Sequence, residues 1–211
     1  MFEIEYKGAN ALVISTKKTT AIVDPKLSLV GLKDLVAKEA IEIATEARFA
    51  TNDNAVQLLI EGPGDYELGD FSIHGVRAVR HIDTIDSEPI STVYRVEVGD
   101  VRIALLGNIS PRLNEDQLEE LGIIDILVLP VGGNGYTLDA TSAATIVRQI
   151  NPKAVIPTHY ADSALKYEVP QEELGIFIKE LGAPTESVVK YKVKSAANLP
   201  PVLTVIELAR S

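Results

Sequence analysis

Two short apolar segments, Ile124 to Leu129 and Ala154 to Ile156, flank a stretch with the marks of a helix, and this pairing most restricts the folds open to the chain. Neither segment alternates polar with apolar residues, so both read as strands buried on both faces. Between them Asp139 or Thr137 can cap a helix through Ala140 to Ile150, which stops before Pro152. Strand, helix, strand in this order demands a parallel pair joined by a crossover. The loops Pro130 to Asp139 and Pro157 to Tyr160 then leave the same carboxyl edge of the sheet, where ligands of layered α/β folds collect. His159 gains interest from that position.

The remaining pattern alternates strand and helix signals. Phe2, Ile4 and Tyr6 alternate with polar partners, and short apolar runs follow at Ala11 to Ile14 and Thr20 to Val23, as in an antiparallel meander. Val93 to Val98 and Val101 to Leu106 flank Gly99-Asp100, a two-residue hairpin connection. An amphipathic helix is expected over Gly31 to Arg48, where Leu32, Leu35, Val36 and Ile43 recur among alanines and glutamates. A short helix is expected over Asn114 to Leu121, stopped by Gly122, and another around Leu174, Phe177, Ile178 and Leu181, between Pro170 and Gly182. No linker, repeat or low-complexity tract interrupts residues 1–211, so a single domain is expected.

Composition excludes several classes of function. With 30 acidic against 20 basic residues, the net charge of −10 repels nucleic acid and anionic lipid, and Lys17-Lys18 and Lys190/Lys192/Lys194 are too short to offset it. No cysteine is present, which suits a reducing compartment. No apolar run approaches the roughly 20 residues a bilayer span needs. The expectation is a cytoplasmic protein without membrane or nucleic-acid partners. Gly62-Pro63-Gly64 and Gly132-Gly133-Asn134-Gly135 lack the endings of phosphate loops and read as tight turns. No serine stands in a Gly-x-Ser-x-Gly context.

Several elements taken together resemble the metallo-β-lactamase superfamily, in the branch of small proteins similar to L-ascorbate 6-phosphate lactonase. They are Tyr6-Lys7-Gly8, Ile22-Val23-Asp24-Pro25, the run from Glu61 to Glu67, Leu106-Gly107, the segment Asp125 to Asp139, and Ile156-Pro157-Thr158-His159-Tyr160. The resemblance implies an α/β fold of the α+β type, a four-layer αββα sandwich with mixed sheets and a site at one end between them. It also implies zinc or manganese, held by a Thr/Ser-His-x-His-x-Asp-His loop, a His-x-Gly-Asp strand end and a last histidine.

Placing Ala50-Thr51 at the strand end puts Asn52 and Asn54 at the first two histidine positions, with Val56 and Gln57 at Asp-His. Leu105 and Asn108 then stand at the second element's histidine and aspartate, and His159 matches the last ligand. Neutral amides are weak zinc donors, and one imidazole does not hold the ion. No bound metal or other cofactor is therefore expected. Asn52 and Asn54 also suit turns and caps.

His159 and Asp53 are the candidates for proton transfer, because an imidazole beside a carboxylate can do general acid–base chemistry at neutral pH. Asp24 is expected to organise loops, and Gly132, Gly133, Tyr136 and Thr137 to shape the cleft floor. His81 reads as a rim or surface residue, and His74 as structural. Three functional classes stay open. The first is a non-catalytic homologue that binds a small molecule or a protein in the old cleft. The second is a metal-dependent hydrolase of lactone or phosphoester type with an atypical site. The third is a structural subunit of a homo-oligomer.

Overall fold

A computed structural model describes residues 1–51, 55–81 and 90–211. The strands are β1 (Phe2–Gly8), β2 (Ala11–Ser15), β3 (Thr20–Val23), β4 (Ile41–Ile43), β5 (Leu58–Ile60), β6 (Gly64–Leu68), β7 (Phe71–Val79), β8 (Ile90–Val98), β9 (Val101–Leu105), β10 (Ile126–Pro130), β11 (Ala154–Thr158), β12 (Thr185–Val188), β13 (Tyr191–Val193) and β14 (Thr204–Leu208). The α-helices among the described residues are α1 (Glu115–Leu121), α2 (Ala140–Ile150) and α3 (Leu174–Leu181). The strands form two mixed sheets. One runs β13-β1-β2-β3-β4-β5, and the other β12-β14-β11-β10-β9-β8-β7-β6.

The sheets close face to face over one apolar core. Alternate residues of β1 and β2, including Ile4, Tyr6, Leu12 and Ile14, meet Ile73, Tyr94, Val96, Ile103, Ile126 and Ile156 of the second sheet, all of them buried. Period-two burial on β1 follows directly from its alternating sequence. The other face of the second sheet is also covered, by α2 and α3 through Ala143, Ile146, Val147 and Phe177. That second covering explains why β10 and β11 are apolar throughout: every residue of both is buried.

The expected β-α-β unit is present. β10 and β11 pair in parallel from Ile126↔Ala154 to Pro130↔Thr158. Asp139, not Thr137, caps α2, accepting from the Ser142 amide at 2.8 Å. Asn114 and Gln117 form a reciprocal capping box at the start of α1. The meander and the hairpin at Gly99-Asp100 also form as read.

The helix expected over Gly31 to Arg48 does not exist. Ile41-Glu42-Ile43 is a central strand, paired in parallel with β3 and β5, and Ala47–Phe49 is a 3-10 turn. Alanine and glutamate favour helix locally, but two ladders of hydrogen bonds and full burial of Ile41 and Ile43 outweigh that preference. Buried Glu42 is compensated in place, for its carboxylate accepts from the Thr51 amide and hydroxyl, both at 2.6 Å. Leu32 and Leu35 instead pack with Leu27, Val30 and Leu165 over Ala9 and Ala11.

Phe177 is fully buried between α3 and the second sheet's outer face. Phe177→Ala is expected to destabilise the fold by about 3–5 kcal/mol through the cavity it leaves, read as a lowered urea midpoint at unchanged slope.

Candidate functional site

Several strand ends and turns converge on one cavity of about 120 Å³. The β1–β2 turn contributes Ala9 and Asn10, and the end of β3 contributes Asp24 and Lys26. The 3-10 turn after β4 contributes Arg48 and Phe49, and the loop after β10 contributes Tyr136. From the end of β11 and the segment after it come His159, Tyr167 and Gln171. Ala9, Asp24 and His159 all hold φ near +50°, at 48°, 43° and 50°. Non-glycine residues rarely adopt that conformation, and it collects at functional sites.

His159 lies deep in this arrangement and is 4% exposed. Its backbone amide donates to the Ala9 carbonyl at 2.8 Å, which ties the end of β11 to the β1–β2 turn. The imidazole lies against Tyr136, with ring centroids 5.4 Å apart, and against Tyr167 at 4.8 Å. Burial pulls its pKa down to about 4; Gln171 and the residue's own carbonyl push the other way, while Arg48 adds to the lowering. At neutral pH it is an uncharged ring.

Gln171 determines which nitrogen carries the proton. Its Nε2 donates to the Val169 carbonyl at 2.7 Å, so Oε1 is the atom facing Nδ1 of His159 at 3.2 Å. An acceptor at that position requires Nδ1–H, which leaves Nε2 with the lone pair. Nε2 has no protein partner among the described residues and remains accessible from the cavity that His159 lines.

Asp24 is the buried carboxylate of the site. Its Oδ1 accepts from the Thr45 amide at 2.7 Å and its Oδ2 from the Thr45 hydroxyl at 2.8 Å. Burial nevertheless pushes its pKa up to about 7, against the pull of both Thr45 bonds. Nearby, Glu46 contacts Arg48 at 2.9 Å and Arg80 at 3.2 Å, and burial raises its pKa too. The Arg48 guanidinium stands 4.9 Å from the Phe49 ring centroid and 5.6 Å from that of Tyr136.

The residues expected at the site from sequence are distributed unevenly. Asn108 is fully buried: its Oδ1 accepts from Asn10 Nδ2 at 3.1 Å, Asn10 Oδ1 accepts from Thr158 at 3.3 Å, and Asn108 Nδ2 has no partner among the described residues. Leu105 faces Tyr94 in the core between the sheets and does not line the cavity, because its strand position points to the inner face. Val56 and Gln57 precede β5 and do not line it either; Gln57 is exposed and its amide donates to the Ala40 carbonyl. Asn52, Asp53 and Asn54 lie outside the described residues.

Tyr136 lines the cavity. Thr137 is buried behind it and donates to Gln171 Oε1 at 3.3 Å. A side chain at Gly132 would collide with the His159 carbonyl and Gln171, so glycine there permits the close approach. Gly133 takes φ 65° in the same turn. His81 is half-buried with its amide on the Asn108 carbonyl, and His74 pairs with Asp65 on the second sheet, away from the cavity.

Lys26, Glu46, Arg48, Tyr167 and Gln171 escaped the sequence reading. Glu46 and Arg48 were hidden by the expected helix. The register that placed Ala50-Thr51 at the strand end needs correction, because β4 ends at Ile43 and the chain leaves the sheet through Thr45-Glu46-Ala47-Arg48.

A beta-lactamase superfamily domain profile matches residues 3–159. The chain belongs to this family. A UPF0173 protein of Pyrococcus furiosus is 30% identical over 164 residues, covering 72% of this chain and 73% of that protein. A protein of Listeria welshimeri named UPF0173 metal-dependent hydrolase is 26% identical over 196 residues, covering 75% and 85%. Among solved structures, a protein of Thermotoga maritima assigned to the Zn-dependent hydrolases of the metallo-β-lactamase superfamily superposes with a TM-score of 0.75 at 21% identity, over 99% of this chain and all of that one. Igni18, a metallo hydrolase of Ignicoccus hospitalis, gives 0.68 at 15% identity, over 92% of this chain and 99% of its own. At such identities the superpositions speak for the fold: two mixed sheets with flanking helices, as the resemblance implied. No helix among the described residues is long and apolar enough to cross a membrane.

The two buried titrating groups oppose one another. Asp24, with a raised pKa, contributes stability that is lost as pH rises from about 4 toward about 7. His159, with a lowered pKa, contributes stability that is lost as pH falls from about 6.5 toward about 4. In the shared window the unfolded chain carries the proton on His159 and the folded chain carries it on Asp24, so the proton counts match. Relative to the parent, Asp24→Asn should gain stability as pH rises from 4 to 6.5, and His159→Gln should lose it. Each changes the slope by at most about 1.4 kcal/mol per pH unit, measurable by urea unfolding across that range.

Proposed function

We propose that this chain is a metal-free, non-catalytic member of its superfamily that binds a small molecule in the former active-site cleft. The observation that carries this reading is the Arg48 guanidinium beside the His159 cavity. With β4 ending at Ile43, the ligand pattern laid on Thr45 runs Thr45-Glu46-Ala47-Arg48-Phe49-Ala50-Thr51. Glutamate and arginine then hold the first two histidine positions, and alanine and threonine hold the aspartate and third histidine. A fixed cation repels a divalent one, and arginine cannot deprotonate to become a donor.

The donor set otherwise agrees with this reading. Among the described residues no three His, Asp or Glu side chains gather as a metal group. Each oxygen of Asp24 accepts one bond from Thr45 and keeps a further lone pair, while Asn108 turns its oxygen toward Asn10, so its remaining atoms are N–H donors, which do not ligate metals. The described residues around the cavity do not fit zinc or manganese, and no hydrolytic step is assigned to either ion. The three positive-φ residues around a cavity lined by aromatic, apolar and a few polar groups favour ligand binding over simple decay of the site.

The names of the relatives support the competing reading, a metal-dependent hydrolase, and metal titration separates the two. A native-state ligand at a hundred times its Kd adds about 2.7 kcal/mol, or several degrees of Tm. Protein prepared without chelator is expected to contain no stoichiometric zinc, manganese or iron, and its Tm should not move when zinc or manganese is added. One or two bound equivalents, or a rise of several degrees, would make it a metalloprotein.

A further inference from the structure

The ligand-binding reading leaves the ligand's chemistry open, and the inference here rests on that reading. Three features of the cavity narrow the choice. The first is size: about 120 Å³ is close to the roughly 150 Å³ of an apolar protein cavity that takes one benzene ring. The second is shape and polarity. Leu27, Val30 and Phe49 supply apolar wall, Tyr136 and Tyr167 flank the histidine, and half-exposed Leu29 stands at the mouth.

The third feature is the hydrogen-bonding demand of the wall. The chain Val169 carbonyl, Gln171 amide, His159 Nδ1–H is directional, and it ends in a lone pair on Nε2 turned to the cavity. Thr137 braces the same Gln171 oxygen. A buried acceptor without a partner is costly, so an occupant that fills the cavity must present a donor at that point. A ligand lacking one would cut Nε2 off from water and give nothing back.

We propose that the cavity takes a neutral monocyclic ring bearing one O–H or N–H donor, of phenol size, which donates to His159 Nε2 while its ring lies against the surrounding apolar and aromatic side chains. Gln171 acts as the positioning residue, holding His159 in the tautomer that can accept.

The test compares phenol with toluene, which has the same ring and nearly the same volume but no donor, on the full chain after chelator treatment. Calorimetry at pH 7 is expected to show phenol binding roughly fivefold tighter, the worth of about 1 kcal/mol of net hydrogen bond. In protein labelled with 15N-histidine, phenol should move the Nε2 resonance of His159 while toluene leaves its protonation pattern unchanged. Gln171→Glu places a carboxylate beside Nδ1 and favours the imidazolium, whose Nε2–H donates to the phenol oxygen instead of accepting from it, read as a protonated Nε2 resonance in the phenol complex; if that variant fails to fold, the parent comparison still decides. Equal affinities in the parent, or phenol binding that leaves Nε2 unmoved, would overturn the hydrogen bond while sparing the cleft as a ligand site. Binding of neither probe would overturn the proposed ligand class. Metal uptake is read in the separate titration, so failure of the metal-free reading is distinguishable from failure of this one.

Discussion

The closing of two sheets over one shared apolar layer is the constraint on which the rest depends. Ile4, Leu12 and Ile14 on one side and Tyr94, Ile103 and Ile126 on the other lose almost all contact with water. At about 25 cal/mol per Å² of apolar area, such burial is the main force that can offset the entropy of ordering the chain. It also sets the geometry of the site. With the sheets face to face, the turn after β1 and the ends of β3 and β11 meet at one end, and the Ala9 carbonyl can accept from the His159 amide. Side chains more than a hundred residues apart then share one wall.

Within that frame, the site is built on buried groups whose pKa values are displaced toward the uncharged form. A histidine is kept neutral and a carboxylate is pushed toward neutrality, both by burial. Glu46 lies between Arg48 and Arg80, whose guanidinium groups work against the effect of its burial. The result is a cavity whose wall sets the neutral His159 ring and the Gln171 amide beside Lys26, Arg48 and Glu168.

The parts of this architecture that could be read in advance are those where local pattern and tertiary role agree. β10, α2 and β11 are legible because continuous apolar runs, a capping aspartate and a helix-ending asparagine before proline all point one way. The segment from Gly31 to Arg48 is where they disagree. Its alanines and glutamates favour helix, while Ile41 and Ile43 are claimed by β3 and β5 on either side. Reading that segment as helix left Glu46 and Arg48 out of the expected site, because β4 ends at Ile43. Gln171 was invisible for another reason. Its importance lies in the direction of one amide, which depends on where the Val169 carbonyl happens to point.

By itself the sequence determined the layered α/β class and the parallel crossover that sets His159 at a carboxyl edge, since these follow from residue type and period. Only the tertiary structure decided which residues share the cavity, that Arg48 stands beside His159, and which imidazole nitrogen faces inward. Those depend on distances between segments far apart in the chain, and such distances arise only when the two sheets pack together.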